Sequence, residues 1–235
     1  MKRWQRSLIL FFIPSSVLLG AALHQPQAPT PIRHHFTKID ATGTPLPAWA
    51  GPWACVCDHR TGLLWEVKTD SENIHDGLWT YSWYAEPRNK AASPPAAGEF
   101  VTTSAENDPQ PLGTPNQGDC YFEEERCDTA DLIRRTRSEQ LCGEQHWRLP
   151  TSAELKTLVY TDAKAGQPTI DTAFFPKTKR GDYWTSEQGR GLQNVYNYLN
   201  TGAVAISFVH GQTITIPHRN AAFVRLVSEN SKSCH

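Results

Sequence analysis

Residues 146–155 read HWRLPTSAEL, and the order of these side chains specifies a strand-to-helix corner. Pro150 disfavours helical backbone in the residue before it, so 147–149 is predicted to run extended. Thr151 stands three residues before Glu154, the spacing of a capping box. Each of the two side chains then satisfies a backbone N–H that the helix start leaves without a partner. Leu155, Leu158 and Val159 continue an i, i+3, i+4 apolar stripe. Arg148, between Trp147 and Leu149, is read as a buried or half-buried arginine paired with a carboxylate such as Glu66 or Asp171, in preference to an anion-binding arginine, because a buried charge needs a partner. Nothing in the corner is a nucleophile. It serves architecture.

Outward from this corner the pattern alternates between strand and helix signals. Upstream, CDTADLIRRTRSEQLCG (127–143) predicts a helix with Asp128 as N-cap, Asp131 in the first turn and Gly143 as the stop. Leu132, Ile133, Thr136 and Leu141 lie near one face, and Arg134, Arg135 and Arg137 form a solvated face. WACVCDHRTGLLWEVKT (53–69) reads as strand, turn, strand, and LWTYSWY (78–84) as an aromatic strand or packed loop. FTKID (36–40) is expected to be a first, edge strand, followed by a turn at Gly43. Downstream, DYWTS (182–186) is a short strand. VYNYLN, AVAISFVH and TITIP are read as successive antiparallel strands with tight turns at 201–202 and 211–212. AAFVRLVS (221–228) closes the domain. Residues 85–119 hold six prolines and few large apolar side chains, and are read as a long loop insertion.

The first residues are expected to be a secretory leader. Lys2, Arg3 and Arg6 precede an apolar run over 7–19, and Gly20, Ala21 and Ala22 supply small residues for cleavage after Ala22. The run is short for a membrane span, so none is expected once residues 1–22 are removed. Residues 23–35 form a Pro-rich lead-in, and its His34 and His35 are read as solvated. Export to the periplasm or beyond gives the six cysteines, Cys55, Cys57, Cys120, Cys127, Cys142 and Cys234, an oxidising setting, in which they form a disulfide set of open connectivity. The Cys-x-Cys at 55 and 57 lacks the further ligands of a four-coordinate site, so no metal or cofactor is expected. Without Lys2, Arg3 and Arg6 the chain carries 20 basic against 24 acidic residues, a net charge of −4. That argues against nucleic-acid binding but leaves room for a local basic patch.

The ordered stretches FTKID, TGLLWEVKT, TYSWY, CDT, LCG, WRLPTSAELKTLV, IDTAFFP, YWTS and VRLV resemble the Lcl C-terminal domain family of secreted bacterial proteins. The resemblance covers 36–228 and leaves 229–235 as a C-terminal tail. It implies an α+β fold, C-type-lectin-like/sulfatase-modifying-factor-like, with two helices packed on irregular antiparallel sheets and braced by disulfides. It also implies an adhesion module and, from family relatives, a homotrimer, although no heptad here enforces one. The collagen-like repeat that would give such a module multivalency is absent. Cys57 and Cys234 are additional to the four cysteines that the resemblance implies. They are expected to pair and to tie the C-terminus down.

If the adhesive behaviour carries over, Lys177, Lys179 and Arg180, joined by Arg219, are the candidate ligand contacts. The partner is an anionic polysaccharide, such as a sulfated glycan, or a surface protein. Arg180, Gly181 and Asp182 spell an integrin tripeptide, but a surface turn before a strand accounts for them. Glu86, Pro87, Arg88 and Asn89 miss the Glu-Pro-Asn of calcium lectins because Arg88 interrupts it, and no Asp-rich loop offers the six to eight oxygens that calcium requires. Trp65, Trp147 and Trp184 are assigned to the core, where Trp65, Trp147, Arg148, Pro150, Thr151 and Glu154 form the structural motif. The rival readings are an envelope enzyme with its site beneath the 85–119 loop and a structural partner in an envelope assembly. The sequence lacks Gly-x-Ser-x-Gly and His-Glu-x-x-His motifs. An oxidase of the related fold would need Cys55 and Cys57 as free neighbouring thiols.

Overall fold

A computed structural model describes residues 35–86, 112–120, 126–190, 192, 196–199, 201–229 and 231–234. The expected leader, nearly all of the lead-in and the middle of the 85–119 insertion, including the EPRN stretch beyond Glu86, lie outside the described residues. The elements in chain order are β1 (Phe36–Ile39), β2 (Pro45–Leu46), β3 (Cys55–Asp58), β4 (Leu63–Glu66), β5 (Tyr84–Ala85), β6 (Leu112–Gly113), α1 (Thr129–Glu139), α2 (Ser152–Lys156), β7 (Asp182–Arg190), β8 (Thr201–Ser207), β9 (Thr213–Ile216) and β10 (Val227–Ser228). Short antiparallel sheets and two helices make this an α+β protein.

One sheet has the order β10-β4-β3-β1-β2, a second the order β7-β8-β9, and β5 pairs with β6 alone. The β3–β4 hairpin, with Cys55 opposite Glu66 and Asp58 opposite Leu63, realises the predicted strand, turn and strand. All eight of its strand residues are buried. This is the continuous apolar-rich pattern of a strand pair covered on both faces. Strand β1 is not an edge: β2 pairs on its outer side, because the turn at Gly43 folds Pro45 and Leu46 back onto Ile39 and Lys38.

The second sheet departs from its reading. Strand β7 runs from Asp182 to Arg190, well past 186, and it is β7 that pairs with β8. Of the expected VYNYLN strand, the described residues 196–199 form a turn rather than a strand. Thr201 and Gly202 begin β8 rather than forming a turn. Gly202 sits in the strand because a Cβ there would lie 2.3 Å from the Ile216 carbonyl oxygen, so the close backbone approach demands glycine.

Segment 79–83 is a packed loop pinned to β7 by two indoles. Trp184 Nε1 donates to the Tyr81 carbonyl at 2.6 Å, and Trp83 Nε1 donates to the Thr185 carbonyl at 2.8 Å. Trp65, Trp147 and Trp184 are fully buried, as assigned. The core falls into two clusters. One gathers around Trp83, Trp147 and Trp184, the other around Trp65, Phe175 and Tyr183.

Helix α1 starts as expected, with Asp128 accepting from the Asp131 N–H. It ends earlier than expected: Gln140 takes the left-handed conformation, and Gly143 closes a separate short turn over 141–143. Of its arginines, Arg134 is exposed and Arg137 turns inward to donate to the Trp147 carbonyl at 2.7 Å. Helix α2 carries the complete capping box of Thr151 and Glu154.

The six cysteines form Cys55–Cys142, Cys57–Cys234 and Cys120–Cys127. The expected link between Cys57 and Cys234 is thus present, and 231–234 is a docked turn with Ser231 and Cys234 buried.

Candidate binding surface

Several of the buried titratable groups pair with one another. Glu66, fully buried at the end of β4, accepts from Lys68 Nζ at 2.7 Å and from the Leu226 N–H at 2.9 Å, and lies 2.7 Å from His75 Nδ1. Burial alone would raise its pKa, but Lys68 and His75 outweigh burial and hold the carboxyl at about 2. Burial pushes Lys68 down, against the pull of Glu66. The second ring nitrogen of His75 faces Glu139 at 3.1 Å, at the end of α1. Burial opposes charge on this ring, yet the carboxylates on either side win and raise its pKa. Arg225, also fully buried, donates to the Glu66 carbonyl and to Thr178 Oγ1 and lies over the Phe175 ring at 4.8 Å.

Arg148 forms a second pair, with a different partner from those expected. Its two terminal nitrogens grip Glu154 at 2.9 and 2.8 Å, and Glu229 lies 3.6 Å away. Glu66 and Asp171 do not serve: Lys68 and His75 occupy Glu66, while the Asp171 carboxylate accepts from the Ala173 N–H of its own turn. The capping glutamate is the near partner because the extended 147–149 segment ends where α2 begins. Burial opposes the charge on Arg148, but Glu154 and Glu229 keep its pKa raised. A shallow cleft of about 540 Å³ lies beside this pair, lined by Thr61, Gly62, Leu63, Ala153, Thr157 and the two glutamates Glu154 and Glu229. Its glutamates are already engaged by Arg148.

The candidate ligand contacts lie elsewhere. The 171–180 loop is anchored from beneath. Thr178 Oγ1 donates to the Phe175 carbonyl and accepts from Arg225, while the Lys179 N–H donates to the Tyr183 hydroxyl at 2.9 Å. Lys177 and Arg180 are therefore held outward and Lys179 is half-buried. Lys177 bonds Asp70, and this bond, with help from Lys179, lowers the pKa of that carboxyl. Arg219 is exposed on the turn after β9. Its neighbour His218 stacks on Trp83 at 4.9 Å, so Arg219 rests on the other core cluster from Tyr183. The structure places Lys177, Lys179 and Arg180 together and Arg219 on a separate element.

A feature with no sequence expectation joins this loop. Between β2 and β3 the chain reads PAWAGPW (47–53). Trp53 Nε1 donates to the Phe174 carbonyl at 2.9 Å, which fastens this connection to the 171–180 loop. Lys38 Nζ lies 3.7 Å from the centre of the Trp53 ring and donates to the Ala48 carbonyl at 3.0 Å. Trp49, at the apex, is 88% exposed. The local signal for it is weak: a tryptophan between Pro47 and Pro52, with no apolar alternation to bury it.

Among the described residues, no three His, Cys, Asp or Glu side chains gather to hold a metal ion, and no helix is long and apolar enough to cross a membrane. Cys55 and Cys57 bond in different directions, to Cys142 and Cys234, so they form no neighbouring thiol pair.

These features define a disulfide-braced α+β module whose exposed cations and aromatic ring are carried on anchored loops. Residues 54–228 of the 235 match the Lcl C-terminal domain, and the chain belongs to that family. No curated protein and no solved structure matches the chain. Strands β1 and β2 and the whole of the 47–53 stretch, Trp49 included, precede the matched region.

Proposed function

We propose that the protein is an exported binding module, C-type-lectin-like in arrangement, that engages an anionic polysaccharide through the 171–180 loop. The observation that carries this reading is the anchoring of that loop. Tyr183 bonds its backbone at Lys179 and Arg225 bonds the Thr178 hydroxyl, so Lys179 and Arg180 are presented at little further entropic cost. Three disulfides suit an oxidising compartment, and the periplasm or the exterior is where such a module would meet its polymer.

Exposed charge contacts are screened by salt, which supplies the test. A glycan array probed at low and high salt is expected to show binding to sulfated or carboxylated glycans that weakens as salt rises. The double variant Lys179→Glu/Arg180→Glu is expected to abolish that salt-sensitive part. Binding indifferent to both salt and these substitutions would refute the reading.

A further inference from the structure

We infer that Trp49 is a stacking platform for a saccharide ring. Such a platform rests on the glycan-binding function proposed above and adds to it the part of the sugar that is gripped. Of the described tryptophans, Trp65, Trp83, Trp147 and Trp184 are buried, and Trp53 and Trp79 are partly buried with their indole N–H groups bonded. Trp49 alone turns its ring to solvent. A mobile loop would let it collapse onto a neighbour, but this connection is braced. Lys38 holds the Ala48 carbonyl, the Ala50 N–H closes a turn onto the Pro47 carbonyl at 2.9 Å, and Trp53 is tied to Phe174. The ring is held outward by a backbone that has already lost its freedom, as a preorganised contact requires.

The size and surroundings of the patch select the occupant. The large exposed apolar side chains among the described residues are Trp49, Leu78 and Tyr198, on three different connections. Around Trp49 the exposed neighbours along the chain are Pro47, Ala48, Gly51 and Pro52, all small beside the indole, which is the one large apolar group of the patch. A stable protein partner needs about 800 Å² on each side, whereas one aromatic side chain supplies roughly 150–250 Å². A patch one ring wide matches the C–H face of a single pyranose. The bond from Trp53 to Phe174 joins this connection to the 171–180 loop, whose Lys179 and Arg180 would complement acidic substituents of the same polymer.

Trp49→Ala and Trp49→Phe, tested on an array of matched sulfated and unsulfated glycans at low and high salt, decide the matter. The expected result is binding about tenfold weaker for Trp49→Ala at both salt levels, with a smaller loss for Trp49→Phe. Protein carrying 5-fluorotryptophan should show one fluorine resonance that is missing in Trp49→Ala and that moves when the best-bound array glycan is added. Unchanged binding by Trp49→Ala overturns the platform and leaves the cationic loop standing. Loss in Trp49→Ala, with no response to salt or to Lys179→Glu/Arg180→Glu, supports the platform and overturns the anionic reading. Failure of the unmodified protein to bind any glycan overturns both.

Discussion

Glu66 is the residue on which the interior charge balance turns. It faces Lys68 and His75 with no water-exposed surface, so its removal strands two cations in the core. Breaking a buried pair from one side costs about 3–5 kcal/mol. Glu66→Gln is expected to lower unfolding stability by that amount in urea titrations, and Glu66→Gln/Lys68→Met to recover part of it. His75 adds a pH dependence. Its folded pKa lies above the ordinary 6.5, so its contribution is complete below pH 6.5 and fades as pH rises through the folded value. The Glu66 term runs the other way: it is present above the ordinary 4.5 and lost as pH falls toward about 2. The urea midpoint should therefore decline from pH 6.5 upward in the unmodified protein but not in His75→Gln. An equal decline in both would show that the imidazole carries no such linkage.

At the scale of the element, the strand-to-helix corner has two supports that share one side chain. Thr151→Ala removes only the cap and is expected to cost about 1 kcal/mol. Glu154→Ala removes the reciprocal cap and also the bidentate partner of Arg148, so it should cost more than Thr151→Ala in the same urea titration. The cap was legible because it depends on a three-residue spacing and on nothing distant. The β3–β4 hairpin was legible for the same reason: turn residues 58–62 separate two dense apolar runs. The partner of Arg148 was not, since any of several carboxylates satisfies the rule that a buried charge must be paired. The β7–β8 pairing was hidden by Gly202. After a polar run, a Thr-Gly pair has the same letters whether the glycine turns the chain or admits a neighbouring backbone. Trp49 escaped because a tryptophan is first assigned to a core, and only the fold shows that this one has no core to enter.

For the molecule as a whole, the bridge between Cys57 and Cys234 matters most. Cys57–Cys234 spans 177 residues and docks the last turn against β3 and β4, whereas Cys120–Cys127 spans 7. A cross-link stabilises by limiting the unfolded chain, and more so for a longer loop. Cys55–Cys142 shortens the loop that Cys57–Cys234 effectively closes to roughly a hundred residues, which still corresponds to about 4–5 kcal/mol. The short bridge corresponds to about 2–3 kcal/mol by the same scaling. Cys57→Ala/Cys234→Ala is therefore expected to lower the urea midpoint more than Cys120→Ala/Cys127→Ala, each measured without reductant. With all three bridges intact, adding reductant should unfold the protein at a urea concentration that the oxidised form withstands. If the two double variants were equally stable, the C-terminal bridge would be holding a segment that the sheet already holds unaided. The staple would then not be a condition of the fold.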